Sequence, residues 1–181
     1  MEPFEQGGLD GLCGVYSIIN SARVINDLNR EDSQELFVDI ISYLDGAKNL
    51  TSIITEGMNI NVLGEVMNNV KSLNFERKMP FRGYAKTSLD EFWSSMQEFL
   101  VVRNRTILLG LGGHYDHWSV VTEVSDKRAT FFDSDGINYI NRTNCTTQSP
   151  TVNRKHQIYP THSYFLSKER GYGKLTASES I

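Results

Sequence analysis

Residues 11–26 are Gly-Leu-Cys-Gly-Val-Tyr-Ser-Ile-Ile-Asn-Ser-Ala-Arg-Val-Ile-Asn. Apolar residues recur there with the i, i+3, i+4, i+7 spacing of one helix face: Val15, Ile18, Ile19, Ala22 and Ile25. This spacing predicts a helix over about 12–27, capped by Asp10 or Gly11. Several glycines precede it, so we expect a tight, mobile loop that ends at Cys13, in the first helical turn.

Three further helices are predicted from the same periodicity. They cover about 33–45, about 60–73 and a segment that begins at Ser88, where Glu91 completes a capping box. The second half of the chain changes to short apolar and β-branched runs, which are typical of strands. These predicted strands are 106–111, 118–124, 129–132, 137–140 and 158–166.

Connections between the strands are also indicated by composition. Asp135-Gly136 is a favoured hairpin turn, and residues 141–156 are polar enough to predict a long surface loop. The tail after about residue 168 is expected to be flexible. Because helices precede strands, we predict an α+β domain with segregated layers rather than alternating βαβ units. One domain is expected to cover residues 1–181.

Composition restricts the classes of function. The 181 residues carry a formal net charge of −4, and we see no basic cluster, so binding to nucleic acid is not expected. No stretch is apolar for long enough to span a bilayer, and the N-terminus lacks the pattern of a secretory signal. We therefore expect a protein that is cytoplasmic where it is made, with export without a cleaved signal left open. Oligomeric state is not indicated.

The cysteines and histidines show no metal-binding pattern. The two cysteines form no Cys-x-x-Cys pair, and the four histidines have no zinc-finger spacing relative to them. We expect no metal and no organic cofactor. Cys145 lies in the predicted polar loop, so we also expect it to be unpaired with Cys13.

Cys13 is a candidate nucleophile. A lone buried cysteine is usually a small hydrophobe, but this one starts a helix among glycines. The positive end of a helix dipole favours a thiolate, and glycines leave room for a substrate backbone. A thiolate needs a base, and His117 at a loop-to-strand junction is the best candidate. His114 competes, but it lies in a glycine-rich loop where its orientation is less fixed.

The base needs a partner that fixes its tautomer. Asp133 follows the next predicted strand, and two antiparallel strands would bring it beside His117. Asp135 is the alternative, although its position before Gly136 suits a turn role better. An oxyanion requires donors as well. The backbone N–H of Cys13 supplies one, and the side chain of Gln6, a short loop upstream, is a candidate for the second.

Together these segments resemble the papain-like cysteine peptidases. The resemblance is carried by Gln6, by Leu12-Cys13-Gly14 before a helix, by His117-Trp118 opening a strand, and by Phe132-Asp133-Ser134. It is similar in style to the compact bacterial branch that includes bacteriocin-leader peptidases and secreted effector proteases. Leu12 stands where the bacteriocin-leader branch usually has Asp, and the loop from Gln6 to Cys13 is one residue longer than is commonest in the family.

The resemblance implies a helical half packed on an antiparallel sheet, with the active site in the cleft between them. It implies Gln6 as oxyanion donor, Cys13 as nucleophile, His117 as base and Asp133 as orienting group. The implied function is hydrolysis of a peptide or protein amide, in a bacterial effector or toxin. Since the chain begins almost at the site, we expect no inhibitory propeptide of the papain type.

Two other functions remain open at this stage. Protein glutamine deamidases and transglutaminase-like acyltransferases use the same Cys-His-Asp logic on a side-chain amide, so the triad does not separate them from peptidases. A catalytically silent binding module is the second alternative. It is disfavoured because all four positions hold competent residues.

Overall fold

A computed structural model of the chain describes residues 1–84 and 86–168. The predicted flexible tail lies outside the described residues. The helices are α1 (Cys13–Asn26), α2 (Arg30–Ala47), α3 (Leu50–Glu56), α4 (Ile60–Asn69) and α5 (Leu89–Leu100). The strands are β1 (Phe75–Lys78), β2 (Arg105–Gly113), β3 (His117–Val124), β4 (Arg128–Phe131), β5 (Tyr139–Asn141), β6 (Cys145–Thr146) and β7 (His156–Lys168). The predicted α+β class is confirmed.

Helix α1 begins without a side-chain cap. Its N-cap residue is Leu12, which makes no capping hydrogen bond, so the predicted cap at Asp10 or Gly11 is wrong. Asp10 instead accepts hydrogen bonds from the backbone N–H groups of Leu12 and Gly7, at 3.1 and 2.8 Å, and thereby holds the loop before the helix. The other long helices have conventional caps, including Ser88, which accepts from the N–H of Glu91 at 3.2 Å.

The described strands form one sheet in the order β1-β7-β2-β3-β4-β5, with antiparallel neighbours, while β6 pairs in parallel with β7. The sequence prediction missed α3, β1 and β6. Residues 141–156 are therefore only partly a loop. The predicted tight hairpin at Asp135-Gly136 is also wrong, because residues 132–138 form a longer connection and β5 starts at Tyr139.

Two hydrophobic cores lie on opposite faces of the sheet. Helices α1 to α4 cover one face, where Leu108, Trp118 and Leu166 are buried against them. Helix α5 covers the other face with Phe92 and Trp93, both fully buried, each contributing roughly 2–3 kcal/mol of hydrophobic stabilisation. The sequence predicted helices and strands in segregated layers, but the helices lie on both faces of the sheet.

Two polar contacts tie the start of β3 to α1 and to the connection between α3 and α4. The hydroxyl of Ser17 donates to the carbonyl of Trp118 at 2.8 Å, and the indole of Trp118 donates to the carbonyl of Met58 at 2.7 Å. Gly57 has a φ of +81°, which favours glycine, and its backbone lies against Gly11, where an added Cβ would come within 2.8 Å of the Gly57 nitrogen. These contacts hold the start of α1 close to the start of β3.

Membrane crossing by a helix has no support in the described part of the chain. None of its helices combines the length and the apolarity that a bilayer span needs.

Candidate active site

The structure brings Cys13, His117 and Asp133 together from three elements. Cys13 is the half-buried first residue of α1, and His117 is the first residue of β3. Asp133 follows β4, which pairs antiparallel with β3. Nε2 of His117 lies 2.8 Å from Oδ2 of Asp133, and both side chains are buried. The predicted juxtaposition of these two residues is present, while their catalytic roles remain a prediction.

The imidazole of His117 lies between an acid and a thiol. Since Nε2 faces Asp133, Nδ1 is the ring nitrogen left to interact with Cys13, which lines the same cleft. Burial alone would lower the pKa of His117, but hydrogen bonds to Asp133 and Cys13 and their negative charges outweigh it and raise the pKa to about 9. The imidazolium form, with a proton on each ring nitrogen, is therefore favoured near neutral pH.

Four donors hold the carboxylate of Asp133. Oδ2 accepts from His117 and also from the Ser119 hydroxyl at 2.5 Å. Oδ1 accepts from the backbone N–H groups of Asp135 and Ile137 at 2.9 and 3.0 Å. Burial by itself raises the pKa of Asp133, but these hydrogen bonds and the charge of His117 lower it below its usual value. The carboxylate is thus fixed in orientation and stays ionised near neutral pH.

Ser119 is a site residue that the sequence analysis did not assign. It is fully buried on β3, two residues after His117 and on the same face. That alternation was the available signal, but it does not show that Asp133 lies within reach of the hydroxyl. Ser119 positions the acid without touching the thiol.

The expectation that the side chain of Asp135 stabilises the turn is wrong. Its side chain is exposed and makes no hydrogen bond with any described residue. Instead Asp133 accepts from the Asp135 N–H, so one residue both orients the imidazole and stabilises the loop. The carboxylate that stabilises the turn is therefore that of Asp133, which also contacts His117.

His114 does not join the cluster. Its side chain is exposed, and its aromatic contact is with the ring of Tyr115, at 6.3 Å between centroids. Among the described residues it does not line the cleft beside Cys13. The preference for His117 over His114 as the residue facing Cys13 is therefore supported by the geometry.

Gln6 is tied to the loop that carries Asp133. Its backbone N–H donates to the carbonyl of Ser134 at 3.0 Å. The side-chain Oε1 is buried and has no partner among the described residues. Gln6 does not line the described cleft, so its role as an oxyanion donor stays a prediction. The backbone N–H of Cys13 also lacks an acceptor in the described part of the chain, as expected at a helix start.

A cleft of about 410 Å³ opens beside the thiol. Cys13 and His117 form one part of its lining, residues 56–60 form a second, and β7 contributes Tyr159 and His162. Aromatic side chains in the lining include Trp118 and Tyr159. The lining extends well beyond the thiol of Cys13.

Cys145 is not part of this cluster, and its thiol has a different environment. Both cysteines are free, as expected, but Cys145 is fully buried at the start of β6 and not in an unstructured loop. Burial raises the pKa of its thiol to about 12, and the thiol donates to the carbonyl of Asn141 at 3.2 Å. It is held as a neutral, unreactive thiol.

Within residues 1–84 and 86–168, no group of three or more histidine, cysteine and carboxylate side chains is arranged to hold a metal ion.

Comparisons with protein-family models, curated proteins and solved structures found no match for this chain.

Proposed function

We propose that this protein is a papain-like cysteine peptidase that cuts a peptide or protein amide through a thioester on Cys13. The observation that carries the proposal is the His117 ring, which is bonded to the Asp133 carboxylate through Nε2, lines the same cleft as Cys13, and has its pKa raised by both residues. A nucleophile, a base and a group that orients the base are the parts that covalent amide hydrolysis requires.

The architecture supports a papain-like arrangement. The nucleophile begins the helix α1, the base begins strand β3, and the cleft is lined by residues of both elements. Helices α2, α3 and α4 cover the same face of the sheet as α1. A helical half against an antiparallel sheet is what the resemblance implies.

The proposed reaction uses the imidazole as a proton carrier. His117 takes the Cys13 proton on Nδ1, while Nε2–H donates to Asp133, and the thiolate attacks the scissile carbonyl. The developing oxyanion accepts from the Cys13 N–H and, as the resemblance implies, from Gln6. His117 then protonates the leaving amine. Water, deprotonated by His117, cleaves the thioester, and the acid product and free thiol are released.

Cleavage of a main chain is favoured over deamidation of a side chain by the shape of the cleft. Its walls come from α1, residues 56–60, β2, β3 and β7, so contacts extend well beyond the thiol. A glutamine side chain would occupy a small part of such a cleft, whereas an extended polypeptide would use its length.

A peptide mixture tests the proposal. A chymotryptic digest of a proteome is incubated with the wild-type protein and with Cys13→Ala, and products are identified by mass spectrometry. We expect new termini with the wild type and none with Cys13→Ala. Conversion of glutamine to glutamate without cleavage would instead establish the deamidase, and the absence of any product would leave the binding module.

A further inference from the structure

A second cavity, of about 500 Å³, lies beside the cleft on the same two elements. Ile60 at the start of α4 lines the cleft, while Asn61 and Gly64 further along the helix line the second cavity. On β7, His162 lines the cleft and Tyr164, two residues later, lines the second cavity. The two cavities are therefore neighbours along α4 and β7.

Two guanidinium groups line this second cavity. We call it the arginine cavity, after Arg77 and Arg82. Arg82 donates to Oδ1 of Asn61 at 3.2 Å, and Arg77 donates to the side chain of Asn68. These acceptors are neutral, and neither arginine forms an ion pair within the described residues. Both positive charges are thus left without a counter-charge.

The acidic residue at the arginine cavity is already engaged. Among the described lining residues, Glu65 is the one carboxylate, and it forms an ion pair with Lys48. Two like charges that share a cavity repel each other, so an anion bound between them would relieve the repulsion. Guanidinium groups also match the planar geometry of a carboxylate.

The buried side chain of Tyr164 lines the arginine cavity and contacts the start of α4. The hydroxyl of Tyr164 donates to the carbonyl of Ile60 at 3.1 Å. A Cβ on Gly64 would lie 2.5 Å from this hydroxyl, so the glycine is needed for the close approach. Burial and the positive charge of Arg82 lower the pKa of His162, which indicates that the guanidinium acts on the lining of the cleft.

The chain around the arginine cavity is locally basic. Residues 71–86 contain five basic side chains and one acidic side chain, within a protein of net charge −4. The prediction that the chain has no basic cluster is therefore wrong for this segment. Its local charge is opposite in sign to that of the molecule, so it would attract an anionic ligand.

We infer that the substrate chain continues from the cleft into the arginine cavity, where Arg77 and Arg82 bind an acidic side chain away from the scissile bond. The inference rests on the proposed peptidase function. A carboxylate suits the cavity because two guanidiniums neutralise a single anionic group, whereas nucleic acid requires a longer basic stripe. The acidic residue therefore selects which peptides are cut.

The position of acidic residues around cleavage sites in the chymotryptic peptide mixture tests this inference. For the wild type we expect Asp and Glu enriched roughly three- to ten-fold at one fixed distance from the cut, as expected for a charge-assisted ion pair. The double variant Arg77→Ala, Arg82→Ala should lose the enrichment, and so should Arg82→Glu, which places a carboxylate in the same cavity as Arg77. The loss should be confined to peptides with an acidic residue at that distance, so the ratio of acidic to neutral peptides among those cut should fall.

Arg128→Ala is the matched control. Arg128 is an exposed arginine on β4 that lies over the ring of Tyr139, and its removal should leave the enrichment unchanged. Cleavage without acidic enrichment, enrichment that survives the double variant, or equal loss on peptides without acidic residues would overturn the inference and leave the peptidase standing. Failure of the wild type to cut any peptide would overturn both.

Discussion

Replacing Asp133 by asparagine should be far more damaging than the similarity of the side chains suggests. Both carboxylate oxygens act only as acceptors: Oδ2 faces His117 and Ser119, and Oδ1 faces the N–H groups of Asp135 and Ile137. An amide has one acceptor atom and one donor atom. In either orientation, its NH₂ group must therefore point at two groups that are themselves donors.

Each orientation of the amide has its own cost. With the NH₂ group toward His117, the imidazole must accept on Nε2 and carry its proton on Nδ1, so it cannot take the Cys13 proton, and turnover should fall by roughly 10³–10⁴-fold. With the NH₂ group toward the loop, two backbone donors lose their acceptor. Either way the buried site loses charge-assisted hydrogen bonds, and the free energy of unfolding should fall by about 3–5 kcal/mol.

The assay pairs Asp133→Asn with Asp135→Asn. Urea unfolding followed by tryptophan fluorescence gives stability, and peptide cleavage gives turnover. Since the Asp135 side chain is exposed and makes no described hydrogen bond, its variant should stay within about 0.5 kcal/mol of the wild type and keep its activity. Normal turnover in Asp133→Asn, or an inactive Asp135→Asn, would refute the reasoning.

Three further predictions concern the histidines and the thiols. His117→Ala should lower turnover at least ~100-fold, while His114→Ala should change it little; the reverse ranking in steady-state assays would show that the wrong base was chosen. The raised His117 pKa stabilises the folded protein fully below its unfolded value of 6.5, and this contribution is lost as the pH rises through about 9. Between pH 6.5 and about 9, the free energy of unfolding of the wild type should therefore fall by roughly 1–3 kcal/mol relative to that of His117→Ala, as measured by urea titrations. The same pH dependence of stability in both proteins would contradict this. Iodoacetamide should alkylate Cys13 in the native protein and spare Cys145 until urea exposes it, because Cys145 is buried with a pKa of about 12; labelling of native Cys145 in peptide maps would argue otherwise.

The parts of the fold that the sequence predicts best are those that pack against a core. Helix α1 shows helical periodicity because one face is buried, and β2 and β3 are short apolar runs because cores cover both faces of the sheet there. Strand β1 and helix α3 were missed for physical reasons. Strand β1 exists through pairing with β7, far along the chain, and α3 is a short helix with a single buried residue, Ile53. A local sequence pattern does not reveal pairing with a strand that is distant along the chain.

The site was predictable in its order and less so in its details. Cys13, His117 and Asp133 were recognisable because a helix start and two strand ends carry residue types that fit one reaction. The second hydrogen bond to Asp133 from Ser119, and the double use of that carboxylate, depend on angles and distances that spacing does not give. The placement of Arg77 and Arg82 beside Tyr164 likewise joins two segments that are far apart in sequence.

The central claim is that Cys13 becomes acylated during turnover, and intact-mass spectrometry tests it most directly. A peptide that the wild type cuts is mixed with the protein and quenched in acid, which preserves thioesters. We predict a mass increase equal to that of the N-terminal cleavage product less one water, located on Cys13 and absent from Cys13→Ala and His117→Ala. Cleavage that proceeds in Cys13→Ala at the wild-type rate, with no adduct on the wild-type protein, would contradict the account.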